Sequence, residues 1–262
     1  MHSSPTGPVD VVLLCGPGFS SRAVFGSLRS KFPALAVILE APVTRTELLR
    51  NRTRRFGPSK VLGQIAFIAV VPTLLRFLAR QRIAAMTAEM AIPNDEIFLR
   101  SAVRVLSANA PETISALRNL APKVVVVNGT RILTQEVLDS IPAPFINIHM
   151  GVTPLYRGTH GGYWALVEHR PDLVGTTIHY LDSGIDTGPI IHQARFSVTA
   201  ADNFVTYPYL HIKSIHETLP HIVGKIVAGQ LPEPLTVNLP SRIRTHPTLF
   251  EYLFHRFSRG VT

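Results

Sequence analysis

"PETISALRNLAPKVVVVNGTRILTQEVLDSIPAPFINIHM", residues 111–150, makes the same move twice. Thr113 to Leu120 has the apolar spacing of a helix, and Val124 to Val127 is an unbroken β-branched run. A short helix over "TQEVLDS" then leads into a second apolar run that ends at His149. Strands this apolar are covered on both faces, and helix feeding strand in alternation gives a parallel sheet. Upstream, Val9 to Leu14 reads as another buried strand, followed by the glycine turn "CGPGFSS" with capping serines and a first helix. "ALAVILEA" is a second strand. Downstream, "GTTIHYLDSGIDTGPIIHQARFSV" has two β-patterned runs around an acidic glycine loop, as in paired strands. "YPYLHIKSIHETLPHIVGKIVAGQ" is expected to form one long amphipathic helix closing on Gly229. The expected fold is α/β: a Rossmann-like open, mostly parallel sheet flanked by helices. A main domain spans 8–230 with a basic, apolar helical insertion at about 44–95, and a basic helical tail follows at 231–262.

The 262 residues carry a net charge of +9 and a pI of about 10.2, a balance that favours anionic partners. The excess is uneven. "RTELLRNRTRRFGPSK", residues 45–60, is a basic cluster that reads equally as a solvated helix face or an anion-facing patch. After it comes "VLGQIAFIAVVPTLLRFLA", residues 61–79, apolar but interrupted by Gln64, Pro72 and Arg76. Three readings rank in this order: a core-packed or docking helix pair broken at Pro72, an interfacial membrane contact, and a span. The single cysteine, Cys15, excludes an internal disulfide and a cysteine metal cluster. "MHSSPTGPVD" has no charged stretch followed by an apolar one, so no leader is expected and the cytoplasm is the default, with peripheral membrane contact as a variant.

The chemistry gathers where the strand at 145–149 runs out. Residues i and i+2 of a strand share a face, so Asn147 and His149 project together while Ile146 and Ile148 enter the core. Ligands of open α/β sheets bind at the carboxyl ends of strands. Asn supplies a neutral N–H for a developing oxyanion, and His moves a proton near neutral pH. A carboxylate to orient the imidazole is found in "DSGIDTGP", as Asp182 or Asp186. His179, facing the same way as Thr177, is either a supporting group or a core histidine. Gly16 and Gly18 make only half of a G-x-G-x-x-G motif, so they suit a phosphate-cradling turn or simply a tight strand-to-helix turn. No metal-ligand spacing is present.

"NIHMGVTPLYRG" followed by "GTTIHYLDSGIDTGPII" resembles the folate-dependent formyltransferases, which act on glycinamide ribonucleotide, methionyl-tRNA or amino sugars. Their Asn-x-His, loop proline and later Asp fall here on Asn147, His149, Pro154 and Asp186. "VVVVNGTRILTQEVL" is similar to the family's strand and its turn beside the pterin pocket. The resemblance is specific over about 120–195. It implies transfer of a formyl group from 10-formyltetrahydrofolate, without a metal, to the amine of a small, anionic acceptor such as a nucleotide-linked amino sugar. Asn147 and protonated His149 would stabilise the oxyanion, with Asp186 holding and charging the imidazole. Arg131, Ile132 and Leu133, with Asp182, Ser183, Gly184 and Ile185, would border the folate. Tyr156, Arg157, His160 and Tyr163, and the turn at Gly16 and Gly18, would meet the acceptor, with Arg157 pairing to a phosphate.

Departures from the family narrow the acceptor. "THGGYW" follows "YRG", and only about 65 residues of helix and basic tail follow "QARFSV", so tRNA is not the expected partner. The segment at 44–90 has no counterpart in the glycinamide ribonucleotide enzymes, which argues against purine synthesis. Two other functions compete: a formyltetrahydrofolate deformylase, in which water replaces the amine, and a non-catalytic anion-binding module. The oligomeric state is open.

Overall fold

The computed structural model describes residues 7–100 and 102–262, so the N-terminal stretch that bears on a leader lies partly outside the described residues. In chain order the elements are β1 (Val11–Cys15), α1 (Phe19–Arg29), β2 (Ala36–Glu40), α2 (Arg45–Phe56), α3 (Pro58–Leu78), α4 (Arg80–Glu89), α5 (Asp95–Arg100) and β3 (Ala102–Val105). Then follow α6 (Pro111–Leu120), β4 (Val124–Asn128), α7 (Gln135–Leu138), β5 (Phe145–His149), β6 (Arg157–Gly158) and α8 (Gly161–Val167). The chain closes with β7 (Gly175–Tyr180), β8 (Ile190–Arg195), α9 (Tyr207–Ile215), α10 (Thr218–Val227), β9 (Ile243–Arg244) and α11 (Leu249–Arg259).

The main sheet has the order β3-β2-β1-β4-β5-β7-β8. Its first five strands are parallel; β7 and β8 are antiparallel, the paired strands expected around the acidic loop. Alternation along each strand divides the core into two layers. Val11, Leu13, Cys15, Val124, Val126 and Ile146 pack under α1, α9 and α10, and α3, α4 and α5 add Phe67, Met86 and Phe98 to the same layer. Val12, Leu14, Val125, Val127 and Phe145 pack on the other side with Leu117 of α6 and Val137 of α7.

Three elements differ from the sequence reading. The helix expected to run unbroken to Gly229 is two, α9 and α10, parted at His216 and Glu217. Pro220 has no N–H to offer the His216 carbonyl four residues back, and that carbonyl instead accepts from the Ser27 hydroxyl. The expected break at Pro72 is absent. The segment is one helix, α3, with Pro72 buried within it. β3 has no counterpart in the sequence reading: Ala102–Val105 is a short edge strand whose Val103 and Arg104 are exposed. Residues 45–100 form the four helices α2 to α5, with a turn between α4 and α5, and α11 starts on a capping box between Thr248 and Glu251.

The tail does not hang free. β9 pairs in parallel with β6, two residues against two. Gly158 makes this possible: at its φ of 90° a Cβ would stand 2.3 Å from the Arg244 carbonyl oxygen. Glu168 accepts from Tyr156 Oη at 3.0 Å and forms an ion pair with Arg244, which ties the tail to the loop after β5.

Candidate active site

β5 delivers Asn147 and His149 to one end of a cavity of about 430 Å3, and the β7–β8 loop delivers Asp186 to the same place. This volume suits a cofactor-sized ligand. Asp186 has a left-handed backbone, φ 50°, which an aspartate adopts more readily than most residues. Its Oδ2 lies 3.3 Å from His149 Nδ1 and accepts from Gly158 N at 2.9 Å. Its Oδ1 lies 3.4 Å from Asn147 Nδ2 and 3.7 Å from His179 Nε2. Burial pulls the Asp186 carboxyl upward, but His179, His149 and the Gly158 N–H hold it below the usual carboxylate range.

Both ring nitrogens of His149 face acceptors. Nε2 is 2.7 Å from the Tyr156 carbonyl, and Nδ1 faces Asp186. Only the imidazolium donates to both. Burial holds its pKa below the ordinary imidazole value, and Asp186 and the Tyr156 carbonyl oppose that push only in part. His179 fixes Asn147 in turn. Its Nδ1 lies 2.8 Å from the Tyr180 carbonyl, which can only accept. Its Nε2 lies 3.1 Å from Asn147 Nδ2 and 3.7 Å from Asp186 Oδ1. The Asn147 amide nitrogen thus faces His179 and Asp186, and its amide oxygen, not an N–H as the sequence suggested, is left for a ligand.

One wall of the cavity is the turn at Arg131, Ile132 and Leu133, joined by Gly184 and Ile185. Ile132 is 55% exposed at the rim, an apolar side chain offered to a flat ring. Arg131 does not reach for ligand charge: its N and Nη1 both donate to the buried Glu40, at 2.8 and 2.6 Å. Asp182 and Ser183 do not line the cavity. Asp182 Oδ1 shapes the loop by accepting from Gly184 N and Thr187 Oγ1.

The opposite wall is His160, Tyr163, Phe204, Tyr207, His211 and His246. His160 Nε2 meets His246 Nδ1 at 2.8 Å, and Tyr163 Oη lies 2.9 Å from His255 Nδ1. Burial keeps these histidines neutral, pushing His211 down to about 3 and His246 to about 4, and His160 well below its ordinary value. Tyr156 and Arg157, expected at the acceptor, are elsewhere. Tyr156 is buried on Glu168, and the Arg157 guanidinium holds the Ile185 carbonyl and Ser241 Oγ. Gly16 and Gly18 are also outside the cavity: a Cβ on Gly16 would stand 2.3 Å from the Gly129 carbonyl oxygen, so that glycine serves strand packing. Ser20 of the same turn does line the cavity and accepts from Asn128 Nδ2.

Sequence reasoning missed Glu40, His246 and Arg52. Glu40 is a carboxylate closing an apolar strand, an anomaly that marks a buried partner. Arg52, in the basic cluster, is the cation whose charge bears on both His160 and His246. Nothing local in "RTHPT" announces that His246 returns to the site.

The profile described as "Formyl transferase" matches residues 70–223. A methionyl-tRNA formyltransferase of Acetivibrio thermocellus is 30% identical over 150 residues, 54% of this chain and 48% of the relative. The chain thus spans about half the length of that relative, and the expectation against tRNA finds no support in it. Among solved structures, a sugar N-formyltransferase from a Shewanella species superposes with a TM-score of 0.57 at 13% identity, over 90% of this chain and 76% of that one. An N-formyltransferase of Helicobacter canadensis, solved with folinic acid and dTDP-3-aminofucose, gives 0.52 at 14% identity, over 89% and 70%. These likenesses carry the fold. With its profile covering more than half of the sequence, this chain belongs to the formyl transferase family.

Proposed function

We propose that this chain transfers a formyl group from 10-formyltetrahydrofolate to the amine of a small-molecule acceptor. The carrying observation is the convergence of Asn147, His149 and Asp186 at one end of the cavity, with His149 Nδ1 3.3 Å from Asp186 Oδ2. The folate lies along Arg131 to Leu133, Gly184 and Ile185, and the acceptor enters from the side of His160 and His246. Its neutral nitrogen attacks the formyl carbon, and the carbonyl bond opens to an oxyanion. The Asn147 amide oxygen holds an N–H of the attacking amine. His149, as imidazolium, stabilises the oxyanion by sharing the long Nδ1–H bond otherwise held by Asp186. A proton passes from the amine nitrogen to the folate N10, through His149 or water. The C–N10 bond then breaks, giving the formamide and tetrahydrofolate.

The walls also constrain the acceptor. Arg131 is the one Lys or Arg lining the cavity among the described residues, and Glu40 neutralises it. An anionic group on the acceptor therefore finds its counter-charge beyond the histidines, at Arg52. The test supplies 10-formyltetrahydrofolate with pools of amino sugars, nucleotide-linked amino sugars and methionyl-tRNA, and follows tetrahydrofolate release. Amine-dependent release that falls on the order of 100-fold or more in His149→Ala is expected. Release independent of any amine would make the chain a hydrolase and overturn the reading.

A further inference from the structure

α3 is apolar on every side, yet only one side is buried. Val61, Gln64, Phe67, Val71 and Leu75 face the core, and Leu62, Ile65, Leu74, Phe77 and Leu78 face outward. A helix apolar all round normally sits in a core or a membrane. α11 packs on α3 and repeats the feature. Phe250, Leu253, Phe254 and Phe257 fall at i, i+3, i+4 and i+7, one stripe on the side away from the buried Tyr252. Phe250 and Phe257 are 82% and 83% exposed.

The charge around these faces has one sign. α2, α3 and α11 together carry nine Arg and Lys against two glutamates, Glu47 and Glu251, so they hold seven of the nine net positive charges. Both glutamates sit in the first turns of their helices, and Glu251 is engaged in the capping box. No carboxylate lies within ion-pair range of Arg50, Arg54, Arg55, Arg76 or Arg256 among the described residues.

We propose that the outer faces of α3 and α11, flanked by the α2 arginines, dock this protein on the surface of a bilayer rich in anionic lipid. Apolar stripes bordered by Arg and Lys are the chemistry of interfacial binding, and anionic headgroups complement the surplus charge. A second copy of the chain is disfavoured as the occupant, because it would set one cationic rim against another. α3 is long and apolar enough to cross a membrane, but the fold keeps it outside. Gln64 Nε2 donates to the His246 carbonyl at 2.8 Å, and Phe67 packs on Phe204 and Tyr252. A crossing would strip α3 from the histidine wall of the cavity. The helix lies in the headgroup layer and does not span.

The test is flotation of the full chain with phosphatidylcholine vesicles and with vesicles of equal parts phosphatidylcholine and phosphatidylglycerol. Binding to the anionic vesicles at least tenfold above the neutral ones is expected, weakening as salt is raised. The triple variant Phe250→Ser, Phe254→Ser, Phe257→Ser and the double variant Arg54→Glu, Arg55→Glu each weaken it about tenfold or more. Circular dichroism checks that both remain folded, and the replaced side chains are exposed. Absent binding, equal binding to both vesicle types, or binding untouched by either variant overturns the proposal. So does retention in the membrane after alkaline wash, the mark of a span, or a stable dimer in solution that the triple variant dissolves.

Discussion

Asp186→Asn removes one charge and leaves the outline of the site almost unchanged. The Asn oxygen still accepts from Gly158 N, but the side chain no longer carries a charge opposite His149. At 3.3 Å two unit charges attract by about 5 kcal/mol with an effective dielectric of ~20, an upper bound because both groups are desolvated. Half of that, about 2–3 kcal/mol, corresponds to a loss of roughly 30- to 150-fold in kcat/KM if His149 acts as the imidazolium. The assay is amine-dependent tetrahydrofolate release between pH 5 and 9. Stability gives an independent reading. Because the folded pKa of Asp186 is depressed, its contribution is present above the unfolded value of about 3.9 and is lost as pH falls through the folded value. Urea unfolding should show that acid-side slope in the wild type and a shallower one in the variant. Turnover within threefold of wild type across the whole range would refute the charge argument, whatever the stability data showed.

Glu40→Gln unties the Arg131 turn and should cost about 2–3 kcal/mol of stability and weaken binding of 5-formyltetrahydrofolate about tenfold, read by urea titration and fluorescence quenching. Gly158→Ala drives a methyl into the Arg244 carbonyl and should release the tail, seen as faster proteolysis after residue 230 and a lower Tm. His246→Ala should raise the KM for the acceptor about tenfold and leave that for the folate within twofold; equal effects on both would displace His246 from the acceptor side. The same variant bears on pH. His246 is pushed down to about 4, so the unfolded chain binds its proton first and stability declines as pH falls from about 6.5 toward 4, by roughly 3 kcal/mol for this group. That part of the decline should vanish in the variant.

What could be read from the sequence was local in character. β1, β4 and β5 are runs of five apolar or strand-end residues, and the two-residue period that puts Asn147 beside His149 needs nothing beyond the run itself. Asp186 was within reach because its loop is marked by glycines between two β-patterned segments. Pro220 breaks the helix that closes at Gly229, whereas Pro72 is accommodated inside α3, so a proline's effect depends on whether the carbonyl four residues back finds another donor. The acceptor side was not legible, because it depends on pairings across long separations. β6 and β9 are two residues each, His160 meets His246 across 86 positions, and neither contact has a sequence period to betray it. Arg157 shows the converse error: a basic residue beside a site looked like a ligand group, and its guanidinium is spent on the Ile185 carbonyl and Ser241.

The cavity draws all but one of its lining residues from the chain before β9. Arg131 to Leu133, Asn147, His149 and Asp186 all precede β9, and His246 follows it. A ribosome makes the chain from its N-terminus, so most of the cavity can settle while the strand that braces Arg157 and Gly158 is still inside the exit tunnel. During that interval the chamber has a roof and a floor but lacks one end. Gly158 waits for the Arg244 backbone, and the indole of Trp164 waits for the Thr245 carbonyl. Maturation thus has an order: every lining residue but His246 can be in place first, and the tail then completes the histidine wall.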